Sequence, residues 1–223
     1  MSADLIVSYD GTPNDDDALV LAKMLAATGA TLALAYVRHS REFDPSREEI
    51  AQHDAERRLE QGATWIGDPE LARHIVLSPS TGEGLEQLAE AEGASVIVFG
   101  SDYRTPPGRA EPGISAQHLL EGGSTAVAVA AAGLRTNAAA AIESIAVAPA
   151  DGDAAATATA DRLAAKLGAR IVPFQERDVD LIVVGSQASG PEGRVALSGA
   201  ARGMLNSAHG SVLVVPRGKP VEF

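Results

Sequence analysis

Short apolar runs alternate with longer amphipathic stretches through the first 130 residues. Residues 4–9, "DLIVSY", read as a strand. Asn14 is placed to cap a helix reaching about Thr28, with Leu19, Met24 and Leu25 on its apolar side and Gly29 as its stop. Residues 31–37 follow as a second strand, 47–61 as a charged amphipathic helix, 74–77 as a short strand and 84–92 as another helix. A strand over 95–99, a helix over 115–120 and a fifth strand over 125–130 complete the series. Such alternation predicts an α/β fold: an open parallel sheet with helices on both faces.

The pattern then returns in part. "SVIVFGS" at 95–101 matches "DLIVVGS" at 180–186, and "GGSTAVAVA" at 122–130 matches "HGSVLVVPR" at 209–217. Gly100 thus falls on Gly185, and Val127 on Val212, each 85 positions later. The front ends have a wider offset, since Gly29-Ala30 falls on Gly168-Ala169, 139 positions later. The second copy therefore lacks 54 residues, the helix, strand and helix between its second and fourth strands. In a flavodoxin-like sheet ordered 3-2-1-4-5 the third strand is an edge, so its loss leaves the middle intact. The predicted organisation is a complete unit at 1–134, a linker over 134–141 and a shortened α/β unit lacking strand 3 at 141–217. The connection 175–179 is short for a parallel crossover, which normally takes a dozen residues or more. Either 170–174 joins by a tight crossover, or it does not pair as an ordinary parallel second strand.

Composition narrows the function. The formal net charge is −12, which opposes broad nucleic-acid binding and anchoring to an anionic membrane. No run has the length of a membrane-spanning helix, and the start "MSADLIVSYD" enters a strand with no basic leader. The expected compartment is the cytoplasm. With no cysteine there is no disulfide or thiolate chemistry. The five histidines lack ligand spacing, so no metal site is expected. No nucleophile elbow and no Walker-type Gly-Lys-Ser/Thr occurs, and no catalytic constellation emerges. Trp65 reads as a packing residue.

The glycines after the fourth strand carry the candidate chemistry. Glycines between a strand and a helix cradle phosphates, because backbone N–H groups and the helix start favour anions. The stretch "GSDYRTPPGRAEPGIS" at 100–115 stands at that place. Together with the strand order and the repeat, the chain resembles the universal stress protein family over nearly its whole length. That family's nucleotide-binding members carry an Asp after the first strand. They also carry a loop of the form Gly-x-x-Gly, nine residues, then Gly-Ser/Thr. The resemblance places Asp10 at the Asp and the backbone after Val37 beside it, and it places Gly100, Ser101, Gly113 and Ser115 on the loop. Spacing is kept, but Tyr103 replaces the second glycine and Ile114 the final hydroxyl residue. The second loop runs Gly185, Ala188, then Ser198-Gly199, and Asp151 is its nearest candidate for the Asp.

Physically, Tyr103 crowds the place of a glycine, and Pro106, Pro107 and Pro112 have no N–H to donate. Arg104 and Arg109 lie inside the loop and suit bidentate contacts to phosphate. Asp10 admits two readings: a ligand carboxylate at the mouth of the sheet, or a turn-former in "DGTP". The triple acid Asp15-Asp16-Asp17 reads as a favourable helix start. The resemblance implies a non-enzymatic stress-response protein, with ATP or another adenine nucleotide as the candidate ligand and magnesium only alongside it. The alternative is a scaffold or interaction module that has lost nucleotide binding. A nucleotide-cleaving enzyme of related fold would need a glycine-rich phosphate loop where "SYDGTPNDDD" stands. The family's domains often pair through their fifth strands. This implies an intramolecular pseudo-dimer of 125–130 with 211–215, or a homodimer.

Overall fold

In a computed structural model, the described residues are 3–137, 140–148, 154–175, 178–207 and 209–223. The first half runs β1 (Leu5–Ser8), α1 (Pro13–Ala26), β2 (Leu32–Arg38), α2 (Pro45–Ile66), β3 (Ala72–Leu77), α3 (Thr81–Glu92), β4 (Val96–Phe99), α4 (Ile114–Leu120) and β5 (Ala126–Val129). A 3-10 turn over Leu134–Thr136 leads to β6 (Ser144–Val147), α5 (Ala154–Leu167), β7 (Arg170–Val172), β8 (Leu181–Val184), α6 (Gly199–Ser207) and β9 (Ser211–Val214).

All nine strands form one sheet, ordered β3-β2-β1-β4-β5-β9-β8-β6-β7. Every neighbouring pair is parallel except β5 with β9, which run antiparallel with Ala128 opposite Leu213. Each half therefore contributes a parallel block, and the blocks meet at their fifth strands. The central strands β1, β4, β5, β8 and β9 are buried along their whole length, as strands covered on both faces must be. Side chains alternate between two cores. Leu5 and Val7 belong to the core that takes in residues of α1, α2 and α5, while Ile6 and Ile97 belong to the core that takes in residues of α3, α4 and α6.

The question left open at 170–174 resolves as a short edge strand. Arg170–Val172 pairs parallel with β6, Ser144 lying opposite Arg170. The second block thus has counterparts of every first-half strand except β3. The first helix also starts differently from the expectation. Thr12, not Asn14, is its N-cap, with Pro13 in the first turn and a reciprocal capping box to Asp15. Asn14 instead reaches across to the next strand end, its Nδ2 donating to the Ser101 carbonyl at 2.8 Å. No helix of the described residues is long and apolar enough to cross a membrane.

Candidate functional site

The carboxyl ends of β1, β2 and β4 are where an open α/β sheet accepts ligands. They bring Asp10, Val37 and Gly100 to adjacent strand ends. The Thr12-x-x-Asp15 box shapes the first of these ends. Asp15 Oδ2 accepts from the Thr12 N–H at 2.9 Å, the Thr12 hydroxyl at 2.8 Å and the Asp10 N–H at 3.0 Å. The loop's own carboxylate occupies its donors. Asp10 is open to solvent on one side. Burial by the surrounding protein, reinforced by the Asp15 carboxylate, still raises its carboxyl above the ordinary range, while Arg58 and His39 pull it down. Burial also raises Asp15, against the hydrogen bonds that it accepts from the loop. Beside them the Tyr9 hydroxyl donates to Asp16 Oδ1 at 3.2 Å, and burial together with that carboxylate holds the phenol above its usual range. Arg58 stacks over Tyr36 at 5.3 Å and donates to its hydroxyl at 3.1 Å. This mouth is acidic.

The other expected residues take mainly structural positions. The Val37 side chain is buried in the core beneath α3. Gly100 packs on the start of α1, where a Cβ would run into the Asn14 carbonyl. Ser101 is buried, and its hydroxyl donates to the Ala130 carbonyl at 2.6 Å and accepts from the Glu111 N–H at 3.1 Å. Arg104 is exposed and lies over the Tyr103 ring at 4.9 Å. The Arg109 carbonyl accepts from the Ala132 N–H, while its Nε is buried without a partner among the described groups. Gly113 caps α4, a helix of seven residues, and Ser115 sits half-buried in its first turn. Ile114, between them, is 87% exposed.

The second loop has the same internal wiring 85 positions on. Ser186 Oγ donates to the Val215 carbonyl at 2.8 Å and accepts from the Ala196 N–H at 3.0 Å. Gly108 N–H donates to Ala132 O and Ala132 N–H to Arg109 O; Gly193, Arg217 and Arg194 repeat both bonds. Each loop turns through a Pro-x-Gly-Arg segment, 106–109 and 191–194. Its first carbonyl accepts from the arginine N–H, and its glycine takes a positive φ of 80° or 70°. The two loops also clasp the opposite half. Gly210 N–H donates to Gly108 O, and Val195 N–H to Gly123 O, both at 2.8 Å. Asp151 lies outside the described residues.

Reading the triple acid as one unit missed Asp17. It is fully buried and accepts from the Gly133 N–H at 2.9 Å, the Arg135 N–H at 2.7 Å and Arg135 Nη1 at 2.6 Å. It fastens α1 to the turn joining the two halves. Its spacing of four and seven residues from Leu21 and Met24, both buried, was the available signal.

Cavities of about 1120, 460, 380 and 410 Å³ lie away from the Asp10 mouth. Of the eight expected site residues only Gly113 lines one, the 380 Å³ groove between α4 and α6.

A tandem, mostly parallel α/β sheet whose two halves carry matching loops after equivalent strands defines the class of this protein. The universal stress protein family model matches residues 1–131, and the chain belongs to that family. Among solved structures it is similar to a universal stress protein from Archaeoglobus fulgidus DSM 4304. The identity is 14% and the TM-score 0.69, over 98% of this chain and 100% of that one. A putative universal stress protein from Pseudomonas aeruginosa UCBPP-PA14 is similar at 16% identity and a TM-score of 0.60, over 96% and 93%. Both likenesses concern the fold, and both span the two halves. A universal stress protein in complex with cAMP covers 44% of this chain and 77% of its own at 17% identity. Its TM-score of 0.35 is too low to carry an argument. Comparison with curated protein sequences returned no match.

Proposed function

We propose that this universal stress family member is a non-enzymatic interaction module whose first-half mouth no longer takes ATP or another adenine nucleotide. One observation carries the reading: the Asp15 carboxylate accepts the Asp10 and Thr12 N–H groups and the Thr12 hydroxyl. An incoming phosphate would have to displace that carboxylate and then lie beside it, and like charges in a partly desolvated site repel strongly. The bound Ser101 hydroxyl and the replacement of glycine and hydroxyl residues by Tyr103 and Ile114 support the same reading. The β5–β9 seam supports a pseudo-dimer made within one chain.

The second reading, an altered anion site with magnesium accompanying the nucleotide, rests on exposed Arg104 and the unpartnered Arg109 Nε. Isothermal titration with ATP, with and without magnesium, separates the two. The interaction reading expects no saturable heat up to about 1 mM nucleotide, a binding free energy weaker than about 4 kcal/mol. Saturation below that concentration, lost in the double variant Arg104→Gln, Arg109→Gln, overturns it.

A further inference from the structure

We propose that the 460 Å³ cavity between α1, the end of α2 and the end of α5 binds a small apolar carboxylic acid. Its volume lies within the range that holds a small ligand. Val20, Met24, Trp65 and Leu167 contribute apolar walls from both halves of the chain. Among the described lining residues, Lys23 and Arg135 supply the only formal charges, and both are positive. In a chain of net charge −12, an apolar cavity with Lys23 on its wall, Arg135 already paired with Asp17 and no acid among the described lining residues favours an anion.

The two cations are available to different degrees. Arg135 is committed through Nη1 to Asp17. Lys23 is exposed, and its Nζ donates to the Ile66 carbonyl at 3.3 Å. No ion pair engages Lys23 among the described residues. A carboxylate beside Lys23 would gain a charge-assisted hydrogen bond, with the hydrocarbon body directed along Met24 toward Trp65. The adjoining 410 Å³ cavity shares Lys23 and Ile66 but carries Asp68 and Glu70, so charge assigns the anion to the former. Trp65, 46% exposed, is the only tryptophan of the chain and reports on the wall of the cavity that it lines.

The test titrates the full chain with decanoate and, separately, with decanol, below the concentration at which either aggregates, while reading Trp65 emission. Decanoate should produce a saturable blue shift, with decanol binding about tenfold more weakly for want of the charged contact. Lys23→Gln, at an exposed position whose fold is checked by circular dichroism, should weaken decanoate about tenfold and leave decanol unchanged. Absence of saturation by decanoate up to about 1 mM overturns the proposal. Equal affinity for acid and alcohol, or a Lys23→Gln variant that binds decanoate like the wild type, overturns it as well.

Discussion

Replacing Asp17 by Asn keeps the shape of a fully buried side chain and removes its charge. The carboxylate accepts three hydrogen bonds, Oδ1 from the Arg135 N–H and Oδ2 from the Gly133 N–H and the guanidinium. An amide has one oxygen. With that oxygen at Oδ1, its NH2 group faces the Gly133 N–H and the guanidinium; flipped, it faces the Arg135 N–H. Either way a backbone donor loses its acceptor, at a cost of about 1–3 kcal/mol. Loss of a buried ion pair usually costs about 3–5 kcal/mol, but the Arg135 side chain is 32% exposed and regains water, which lowers the figure. Asp17→Asn should therefore cost about 2–4 kcal/mol in total. For a chain of this length, about 3 kcal/mol corresponds to a fall in Tm of roughly 6–12 °C.

Thermal melts by circular dichroism measure the change, with Asp16→Asn as control. Asp16 shares the helix turn, is half-exposed and receives one 3.2 Å bond, so its replacement should change stability by less than about 1 kcal/mol. A cycle with Arg135→Gln should give a coupling of at least about 1 kcal/mol. If Asp17→Asn melts like Asp16→Asn, or the two sites prove additive, the acid acts only through the helix dipole and the latch reasoning is wrong.

Three further outcomes are expected. Gly100→Ala should destabilise by about 1–3 kcal/mol in urea unfolding, because its methyl meets the Asn14 carbonyl, whereas Gly113→Ala, with open space around it, should cost under about 1 kcal/mol. Equal effects would show that Gly100 is not held by that approach. Asp10 has its carboxyl raised by burial and by Asp15, so the folded chain binds its proton more tightly than the unfolded chain. Its contribution to stability falls as pH rises from the ordinary 3.8 through the raised value. Urea unfolding of wild type against Asp10→Asn should show a difference that shifts toward the variant as pH rises, and a shift the other way refutes the sign. With the fifth strands joined inside one chain, sedimentation should give a monomer of 22.9 kDa, and a stable dimer would mean that another edge serves as an interface.

The order of strands was legible because each buried strand is a short apolar run bounded by turns, and the 85-residue offset tied the halves together. The pairing of the short strand Arg170–Val172 was left open, because its first two residues are exposed and three residues carry no period. Nor did the sequence distinguish Asp15, Asp16 and Asp17, three copies of one letter in three environments. Capping geometry turns Asp15 back on its loop, Asp16 meets Tyr9, and helix periodicity drives Asp17 into the core. The Thr12-x-x-Asp15 spacing was a readable capping signal, obscured by the asparagine two residues on. Among the expected ligand residues, proximity at the strand ends was legible. Whether their donors were free was not, since that depends on partners far along the chain, such as Ala130 for Ser101.

The two loops separate what the family's phosphate motif does for the fold from what it does for a ligand. In both, the atoms that close the loop are the buried serine hydroxyl, the turn glycine and backbone groups of the arginine and the residues after the last strand. All of these recur at one offset. Of the substituted positions, Tyr103, Ile114 and Ala188 belong to none of the repeated bonds, and Ser198 joins one only through its carbonyl, which accepts from the Arg202 N–H as the Gly113 carbonyl accepts from the Gln117 N–H. A loop held in this way keeps its length and path whichever residues fill its inner positions, because its closure draws on other atoms. The bond from Gly210 N–H to Gly108 O, and a different one from Val195 N–H to Gly123 O, add a second reason to keep the spacing: each loop also docks the opposite half. Equal length with different inner residues in the two loops therefore fits the interaction reading proposed above, as does the Asp15 carboxylate seated on the Asp10 and Thr12 amides.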